Sequence, residues 1–448
     1  MIGFKHFSRT SRVAPGTNLI LVPFGIAGTV MVMLVITLVL DGLGGGLLMA
    51  LPPWVSVGNI DDARAILGAI LGSVSTVLAL IFSVTLLVFS MAASQFGPRL
   101  ISYFLRDRTM QVTLGLFLAT FLHALVTFVV AGRRGDTVFV PQLTVLTSVV
   151  LVLVSFGYLV VYNNRVAQAI QTNNVLPHIV ENLYTAISEL SQPRVIQTAA
   201  APAAQVGETA EDLRARCAAE GRPVLSATSG YMQRINHGRL ALAADQREAV
   251  VCMAFGPGQF VLEGEALAYV LPAERGADLT VAIHGAVMIG QHRTLEQDIE
   301  FAFAQLSEIA IRALSPAIND TYTGLSCIDW LGDAFRMLVA LPNPDGVWHT
   351  RHDQPRLLVP PLRIASIVRA AFDLIREAGA SSPAVIVRLL QTYARLAPQL
   401  RSDEQRNAIL EEVEAAGETM ARVPAVALDQ QALDAAYRLA RDRLTVSS

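Results

Sequence analysis

Lysine is almost missing from this chain of 448 residues, because 33 of its 34 basic residues are arginine and its single lysine is Lys5. P-loop nucleotide hydrolases need a lysine on the phosphates, and pyridoxal enzymes form a Schiff base with one. Biotinyl and lipoyl carriers modify a lysine in a hairpin. Since Lys5 lies near the N-terminus and outside any such motif, the sequence excludes all three classes of protein.

Cysteine and charged residues are also scarce. Only 16% of the residues are charged and the net charge is −3, which gives no basic footprint for nucleic acid. His349 and His352 beside Asp353 are a weak metal signal, and we predict no metal and no cofactor. We find no nucleophile elbow, zincin signature or glycine-rich phosphate loop, so we expect no enzyme. The cysteines are widely spaced without a CxxC pair and predict neither a zinc site nor a disulfide framework: Cys217, Cys252 and Cys327.

The few charges are unevenly distributed along the chain. Residues 1–164 contain nine basic and five acidic residues, whereas residues 165–448 contain 25 and 32. Four charge-free runs in the first part exceed the roughly 20 residues that a membrane-spanning helix needs: Val13–Leu40, Ala65–Pro98, Thr109–Gly132 and Thr137–Asn164. Their apolar cores predict helices near 19–40, 65–92, 110–131 and 140–162. We therefore predict a four-helix transmembrane domain over residues 1–164, in contact with a lipid bilayer.

The loops between these runs predict the orientation of the chain. The N-terminal arm and the second loop are basic, with Lys5, Arg9, Arg12, Arg99, Arg106 and Arg108, whereas the first loop carries Asp41, Asp61 and Asp62. Basic loops stay in the cytoplasm. Both termini are therefore expected to be cytoplasmic.

Small polar residues recur every seven positions within three of the predicted spans, so that each span carries one polar stripe. The stripes are Thr76, Ser83 and Ser90; then Thr113, Thr120 and Thr127 with His123; then Ser148, Ser155 and Tyr162. Such residues pack helices closely together through interhelical hydrogen bonds. The same residues are also the candidate lining of a water-filled path. His123 is the only ionisable side chain well inside a span.

The remaining chain divides into three predicted regions. Residues 165–222 continue the fourth span as a cytoplasmic helical extension and linker. Residues 223–292 show short β-type runs separated by turns, and Pro257–Leu267 looks like the turn of a barrel-sandwich hybrid. We predict a small β-barrel domain there that is structural or binds a small ligand. Residues 293–448 return to helical periodicity and predict a helical domain.

The junction between two of these helices offers one candidate ligand site. Asp298, Arg312, Asn319 and Asp320 are polar residues at or near the ends of a helix predicted over 295–314. They are candidates for a ligand or cation site in the cytoplasmic part. The alternative is a helix cap plus an ion pair, in which Asp320 or Thr321 caps the next helix.

The order of these motifs resembles a bacterial family, the predicted membrane proteins called domain of unknown function 2254. The resemblance rests on Ser94–Arg99, on Pro257–Leu267, on Arg293-Thr294 with Gln297-Asp298, and on Arg312–Asp320. The segment Ser315–Asp320 is its most specific piece. It covers nearly the whole chain. It implies a multi-pass protein of the bacterial inner (plasma) membrane with this architecture, and it carries no activity onto any residue.

Two functions are open at this point. The first is a homo-oligomeric ion channel, or another ion- or solute-conducting protein, whose cytoplasmic domains serve assembly and gating. The second is a non-conducting scaffold or small-ligand sensor anchored in the membrane. Four spans are few for a transporter with inverted repeats, so a pore is expected on an oligomer axis.

Overall fold

The computed structural model describes residues 21–43, 59–96, 107–134, 137–169, 172–190, 209–341, 346–349, 354–422 and 425–445. The chain forms two compact units, residues 1–174 and residues 175–448. We call them the membrane unit and the soluble unit. The loop residues Arg99 and Arg106, the linker residues 191–208, and His352 with Asp353 lie outside the described residues.

Among its described residues, the membrane unit contains four helices long and apolar enough to cross a bilayer, as predicted. They are α1 (Leu21–Gly42), α2 (Ile60–Phe96), α3 (Arg108–Val130) and α4 (Gln142–Ala169). A short antiparallel pair, β1 (Gly132–Arg134) and β2 (Thr137–Phe139), lies between α3 and α4. Helix α3 packs against the other three helices. A Cβ on its Gly115 would lie 2.8 Å from Pro23 Cα, so glycine permits the close approach of α1.

Charged side chains at the ends of these helices satisfy backbone groups. Asp41 accepts hydrogen bonds from the amides of Leu143 and Thr144 at the start of α4, each at 3.0 Å. Asp107 caps α3 in the same way. Arg64 donates to the carbonyl of Ala131 just after α3, at 3.0 and 3.2 Å. Because free amides and carbonyls are costly near a bilayer, these contacts fix where the helices begin and end.

The β-region of the soluble unit forms two open sheets, so the predicted barrel is wrong. One sheet has the order β3-β7-β5-β10-β9 and the other β6-β4-β8. The strands are β3 (Arg222–Leu225), β4 (Gly230–Ile235), β5 (Val250–Met253), β6 (Phe260–Val261), β7 (Ala266–Leu271), β8 (Val287–Gly290), β9 (Val347–His349) and β10 (Pro355–Leu358). Two of the connections are helices rather than turns. They are α7 (His237–Asp245) and α8 (Gly276–Ala286), and their apolar faces pack on the sheet core.

A distant strand completes the larger sheet. Strand β10 pairs in parallel with β5, with Leu357 opposite Val251. In the sequence β10 comes long after β5, and two long helices lie between them. This sheet therefore takes strands from both sides of the boundary predicted at residue 292, and local patterns contain no signal for such a pairing.

The other helices of the soluble unit follow the predicted periodicity closely. They are α5 (Thr172–Leu190), α6 (Ala210–Glu220), α9 (Ile299–Leu314), α10 (Thr321–Ala340), α11 (Ile364–Ala378), α12 (Pro383–Leu396), α13 (Asp403–Arg422) and α14 (Ala427–Thr445). Phe303, Phe335, Phe372 and Tyr393 form a chain of edge-to-face rings through their core. Edge-to-face contacts of this kind add specificity to apolar burial.

The structure also corrects the expectation that the cysteines are unpaired. Cys217 of α6 and Cys252 of β5 form a disulfide across 35 residues of sequence. Both residues belong to a small apolar cluster with Leu213 and Leu358. Cys327 is free and buried. The tertiary packing of α6 on the sheet brings together two cysteines that no spacing rule relates.

Candidate functional site

The polar stripes of α3 and α4 face each other inside one protomer. His123 Nδ1 lies 2.9 Å from Ser148 Oγ, and Thr120 Oγ1 lies 2.9 Å from Ser155 Oγ. These four side chains are fully buried. Because the two stripes satisfy one another, they form a packed helix interface and not the wall of a water-filled path.

The other candidates on α3 are satisfied by their own helix. Thr113 Oγ1 donates to the carbonyl of Thr109 at 2.7 Å, and Thr127 Oγ1 donates to the carbonyl of His123 at 2.6 Å. Both threonines are fully buried. His123 Nε2 is also buried, with no hydrogen-bond partner among the described residues. The imidazole is therefore held by one hydrogen bond to the neighbouring helix.

Removing one of these interhelical hydrogen bonds has a modest expected cost. Thr120→Ala should lower the free energy of unfolding by about 0.5–1.5 kcal/mol, because interhelical hydrogen bonds in membranes are weak on average. Thermal unfolding of the full chain in detergent measures this. The control is Thr29→Ala, since Thr29 is exposed and bonds only to the carbonyl of Gly25 in its own helix. Equal losses for the two variants would contradict the role assigned to Thr120.

The stripe of α2 has a different environment. Thr76, Ser83 and Ser90 are exposed on the surface of the protomer. Gly68 and Gly72 lie on the same side, and a Cβ on either would meet open space. With Ala79, these residues fall within an arc of about 80° on the helix, at about 100° per residue. We call this surface, formed by Gly68, Gly72, Thr76, Ala79, Ser83 and Ser90, the α2 outer face.

The buried side of α2 lies opposite this face. Leu67, Val74 and Ile81 are almost completely inaccessible and pack with Leu114 and Phe117 of α3. The protomer therefore uses the apolar side of α2 for its own core. The small and hydroxylated side points outward, although lipid tails offer it neither close packing nor hydrogen bonds.

The four candidates for a ligand site in the soluble unit do not converge. Asp298 caps the start of α9 by accepting from the amide of Phe301, and it pairs with Arg293 at 2.6 Å. Asp320 caps α10 through Thr323. Since α9 has 16 residues, its two ends lie about 24 Å apart at 1.5 Å per residue. Asp298 is thus separated from the other three candidates.

The other two candidates also have local roles. Arg312 pairs with Glu308, four residues earlier on the same helix, at 3.1 Å. Asn319 adopts a left-handed backbone with φ of 51° in the turn between α9 and α10. Asparagine tolerates this conformation better than most residues. The structure therefore gives each of these residues a cap, turn or ion-pair role.

A group of buried and half-buried polar residues that the sequence analysis misses lies between α11, α12 and α13. Glu412 is 4% exposed, and its Oε2 lies 3.8 Å from Arg376 Nε. Arg376 also pairs with Asp373 at 2.9 Å. The hydroxyl of the fully buried Tyr393, Glu412 Oε2 and Arg376 Nε lack hydrogen-bond partners among the described residues. We call these four residues the Glu412 cluster.

Burial dominates the chemistry of this cluster. Burial, assisted by the negative charge of Asp373, raises the pKa of Glu412 from 4.5 to about 8, although Arg376 opposes the change. The carboxyl is therefore largely protonated at neutral pH. Its sequence signal is its spacing, since Glu412 shares the apolar face of α13 with Ile409, Val413 and Ala416.

Within the described ranges, no group of three or more His, Cys, Asp or Glu side chains is arranged to hold a metal ion. His349 lies in β9. The weak metal signal therefore gains no support from this part of the chain.

Comparison with known families agrees with a membrane protein. A family of predicted membrane proteins, DUF2254, matches residues 16–395. The chain belongs to this family. The match covers the membrane unit and the soluble unit as far as α12, so the DUF2254 architecture includes both units.

Individual relatives extend this similarity to mycobacteria. The chain is 29% identical over 391 residues to the uncharacterized protein Rv1290c of Mycobacterium tuberculosis H37Rv, covering 82% of this chain and 72% of the relative. The uncharacterized protein Mb1321c of Mycobacterium bovis matches with the same identity and coverage. No solved structure matches.

Proposed function

We propose that this DUF2254 protein is a homo-oligomer of the bacterial inner membrane that conducts ions or small solutes along an axis lined by the α2 outer face. The observation that carries the proposal is the outward position of Thr76, Ser83 and Ser90. A path through a single protomer has no support, because the α3 and α4 stripes bond to each other. The proposal therefore depends on α2 alone.

The chemistry of the α2 outer face fits a narrow and weakly selective path. Hydroxyl groups can replace part of the hydration of an ion, whereas the face contains no charged residue to form a ring. Selectivity would then depend on the radius of the path and on charges at its mouths. The proposal assigns no reaction, cofactor or metal to the chain, and its soluble unit serves assembly and gating.

The distribution of basic residues supports a cytoplasmic soluble unit. The basic segments around Arg9, Arg12, Arg99 and Arg106 fall on one side of the predicted topology, while Asp41 belongs to the opposite side. With four spans, both termini then face the cytoplasm.

A second function is favoured by another property of the same face. Gly68, Gly72 and Thr76 are spaced four residues apart, and small residues at this spacing allow helices to pack in direct contact. Such packing leaves no lumen. The oligomer would then be a non-conducting scaffold, or a sensor whose soluble unit binds a small ligand.

Crosslinking and flux together separate these functions. In membranes, Thr76→Cys and Ser83→Cys should form crosslinks between chains under mild oxidation. The control is Ser73→Cys. Because successive residues turn by about 100°, Ser73 lies about 100° around the helix from the middle of the α2 outer face, and its cysteine should form no crosslinks. Crosslinks from Ser73→Cys alone would contradict an axis at the α2 outer face.

Flux through the purified full chain in liposomes tests conduction. Wild type should pass small ions, and Ser83→Leu should reduce the flux at least tenfold by filling the axis with an apolar side chain. Ser73→Leu is the matched control and should retain the flux. Crosslinks at Thr76 and Ser83 without wild-type flux at any voltage or pH would establish the scaffold in place of the conducting protein.

A further inference from the structure

A cleft opens between three helices of the membrane unit, on the side of α2 away from its outer face. It lies between the C-terminal part of α2, the first turn of α3 and the C-terminal part of α4, and it is open to the surroundings on one side. Its walls are mainly apolar, with Val88, Phe89, Met110 and Val166. The apolar lining is suited to contact with a hydrocarbon chain.

The polar groups deep in this cleft are already satisfied. Thr85 Oγ1 and Tyr162 OH are buried and lie 2.9 Å apart, so each hydroxyl has the other as its partner. A polar ligand would gain little there. An apolar group would restore the dispersion contacts that an open cleft leaves unmade.

The mouth of the cleft is charged, in contrast to its apolar walls. Arg165 Nε lies 3.5 Å from Asp107 Oδ2, and the Arg165 side chain is 56% exposed. The other carboxylate oxygen of Asp107 accepts from the amides of Thr109 and Met110 as the α3 cap. A guanidinium has five donors in a planar fork. Arg165 can therefore bind a phosphate while Asp107 remains committed to the cap.

The position of the mouth matches the headgroup level of a bilayer. The membrane-length part of α4 ends at Ala167, and α3 begins at Arg108. Arg165 and Asp107 are therefore at the end of the apolar segments, while Tyr162 lies about 4.5 Å deeper at 1.5 Å per residue. Arg108, the first residue of α3, adds a second basic residue at this end of the apolar segments. Basic pockets between spanning helices are typical sites for anionic lipid headgroups.

We propose that this cleft binds one anionic phospholipid, with its phosphate on Arg165 and one acyl chain against Val88, Phe89, Met110 and Val166. Charge complementarity selects the headgroup, and the apolar walls select the chain. The site is independent of conduction, because the α2 outer face lies elsewhere on the helix. Failure of the lipid site would therefore leave the proposed function unaffected.

Thermal unfolding of the delipidated full chain in detergent tests this site. Phosphatidylglycerol should raise Tm by about 5 °C when present well above its Kd, and phosphatidylcholine with the same acyl chains should raise it less. Arg165→Gln should remove the difference between the two lipids, and Arg165→Lys should restore part of it. The readout is a difference between lipids, so a change in the basal Tm of a variant does not affect it.

A second pair of variants tests the acyl chain. Val166→Trp fills the cleft and should abolish stabilisation by both lipids. Val161→Trp adds the same side chain to an exposed position of α4 and should leave the stabilisation intact. Equal effects of the two lipids on wild type would overturn the proposal, as would equal effects of the two tryptophan variants. If glycerol phosphate stabilised the chain as much as phosphatidylglycerol, the ligand would be a soluble phosphate and not a lipid. If neither lipid stabilised the chain, the proposal would be overturned, because the chain itself would close the cleft.

Discussion

Glu412→Gln is expected to make the soluble unit more stable than wild type above pH 8 and to remove most of its loss of stability between pH 5 and pH 9. The native pKa of Glu412 is about 8 and its ordinary value is 4.5, so between these values the folded chain holds more protons than the unfolded chain. Stability therefore falls as pH rises through this window and is lowest above pH 8.

The expected size of this effect follows from the same two values. At about 1.36 kcal/mol per pH unit, the cost of ionising Glu412 reaches up to about 5 kcal/mol above pH 8. Glutamine keeps the shape of the neutral carboxyl and cannot ionise. The variant should match wild type at pH 5 and exceed it by several kcal/mol at pH 9.

Tryptophan fluorescence of the full chain in detergent provides the measurement. Trp330 and Trp348 lie in the soluble unit, so their emission follows its thermal unfolding at each pH. The control is Glu411→Gln, because Glu411 is the neighbouring residue and is exposed. Glu411→Gln should keep the pH dependence of wild type. If Glu412→Gln kept it as well, the loss of stability at high pH would not come from ionisation of Glu412.

The second large effect is expected from the disulfide. Cys217→Ser or Cys252→Ser should lower the free energy of unfolding of the oxidised soluble unit by about 3–4 kcal/mol, since the bond closes a loop of 35 residues. Reduction of wild type should produce a similar loss. The bond connects α6 to the central strand β5, so its removal should loosen the packing of α6 on the larger sheet first.

Unfolding with and without reductant measures the contribution of this bond. Wild type and Cys327→Ala should lose stability on reduction, whereas Cys217→Ser should not respond. Persistence of the reductant effect in Cys217→Ser would show that another group is responsible.

The state of the same pair in cells reports the compartment. Cytosolic thiols are kept reduced and extracytoplasmic thiols are oxidised. The structure has this pair bonded, whereas the loop charges predict a cytoplasmic soluble unit, in which the two thiols would be reduced. Acid trapping and alkylation of cells distinguishes the two states, and free thiols are the result expected for the predicted topology. A bonded pair would place the soluble unit on the outer side and reverse the predicted topology.

Much of the fold was predictable because its signals are local. Each span is a continuous apolar run, and α10 begins at Thr321 because Asp320, one of the two residues considered as its cap, precedes it. Membrane length and helical periodicity both repeat within a few residues. A single sequence is enough to detect them.

The candidate site shows the limit of such signals. Three stripes have the same spacing in sequence, yet two of them are buried against each other while Thr76, Ser83 and Ser90 are exposed. Spacing places residues on one side of a helix and does not say what that side contacts. Only the packing of α3 between α1, α2 and α4 assigns the stripes to the protomer interior or its surface.

The sequence by itself determined the four spans, the helical part of the soluble unit, the absence of lysine chemistry and the family resemblance. The tertiary structure decided that the sheets are open, that Cys217 meets Cys252, that Asp298 is far from Asp320, and that Glu412 is buried beside Arg376. The physical reason is the range of the interactions. Hydrophobic runs and caps act over one or two helical turns, whereas a parallel strand pair, a disulfide and the contact of a buried carboxyl with an arginine depend on segments that meet only when the chain has folded.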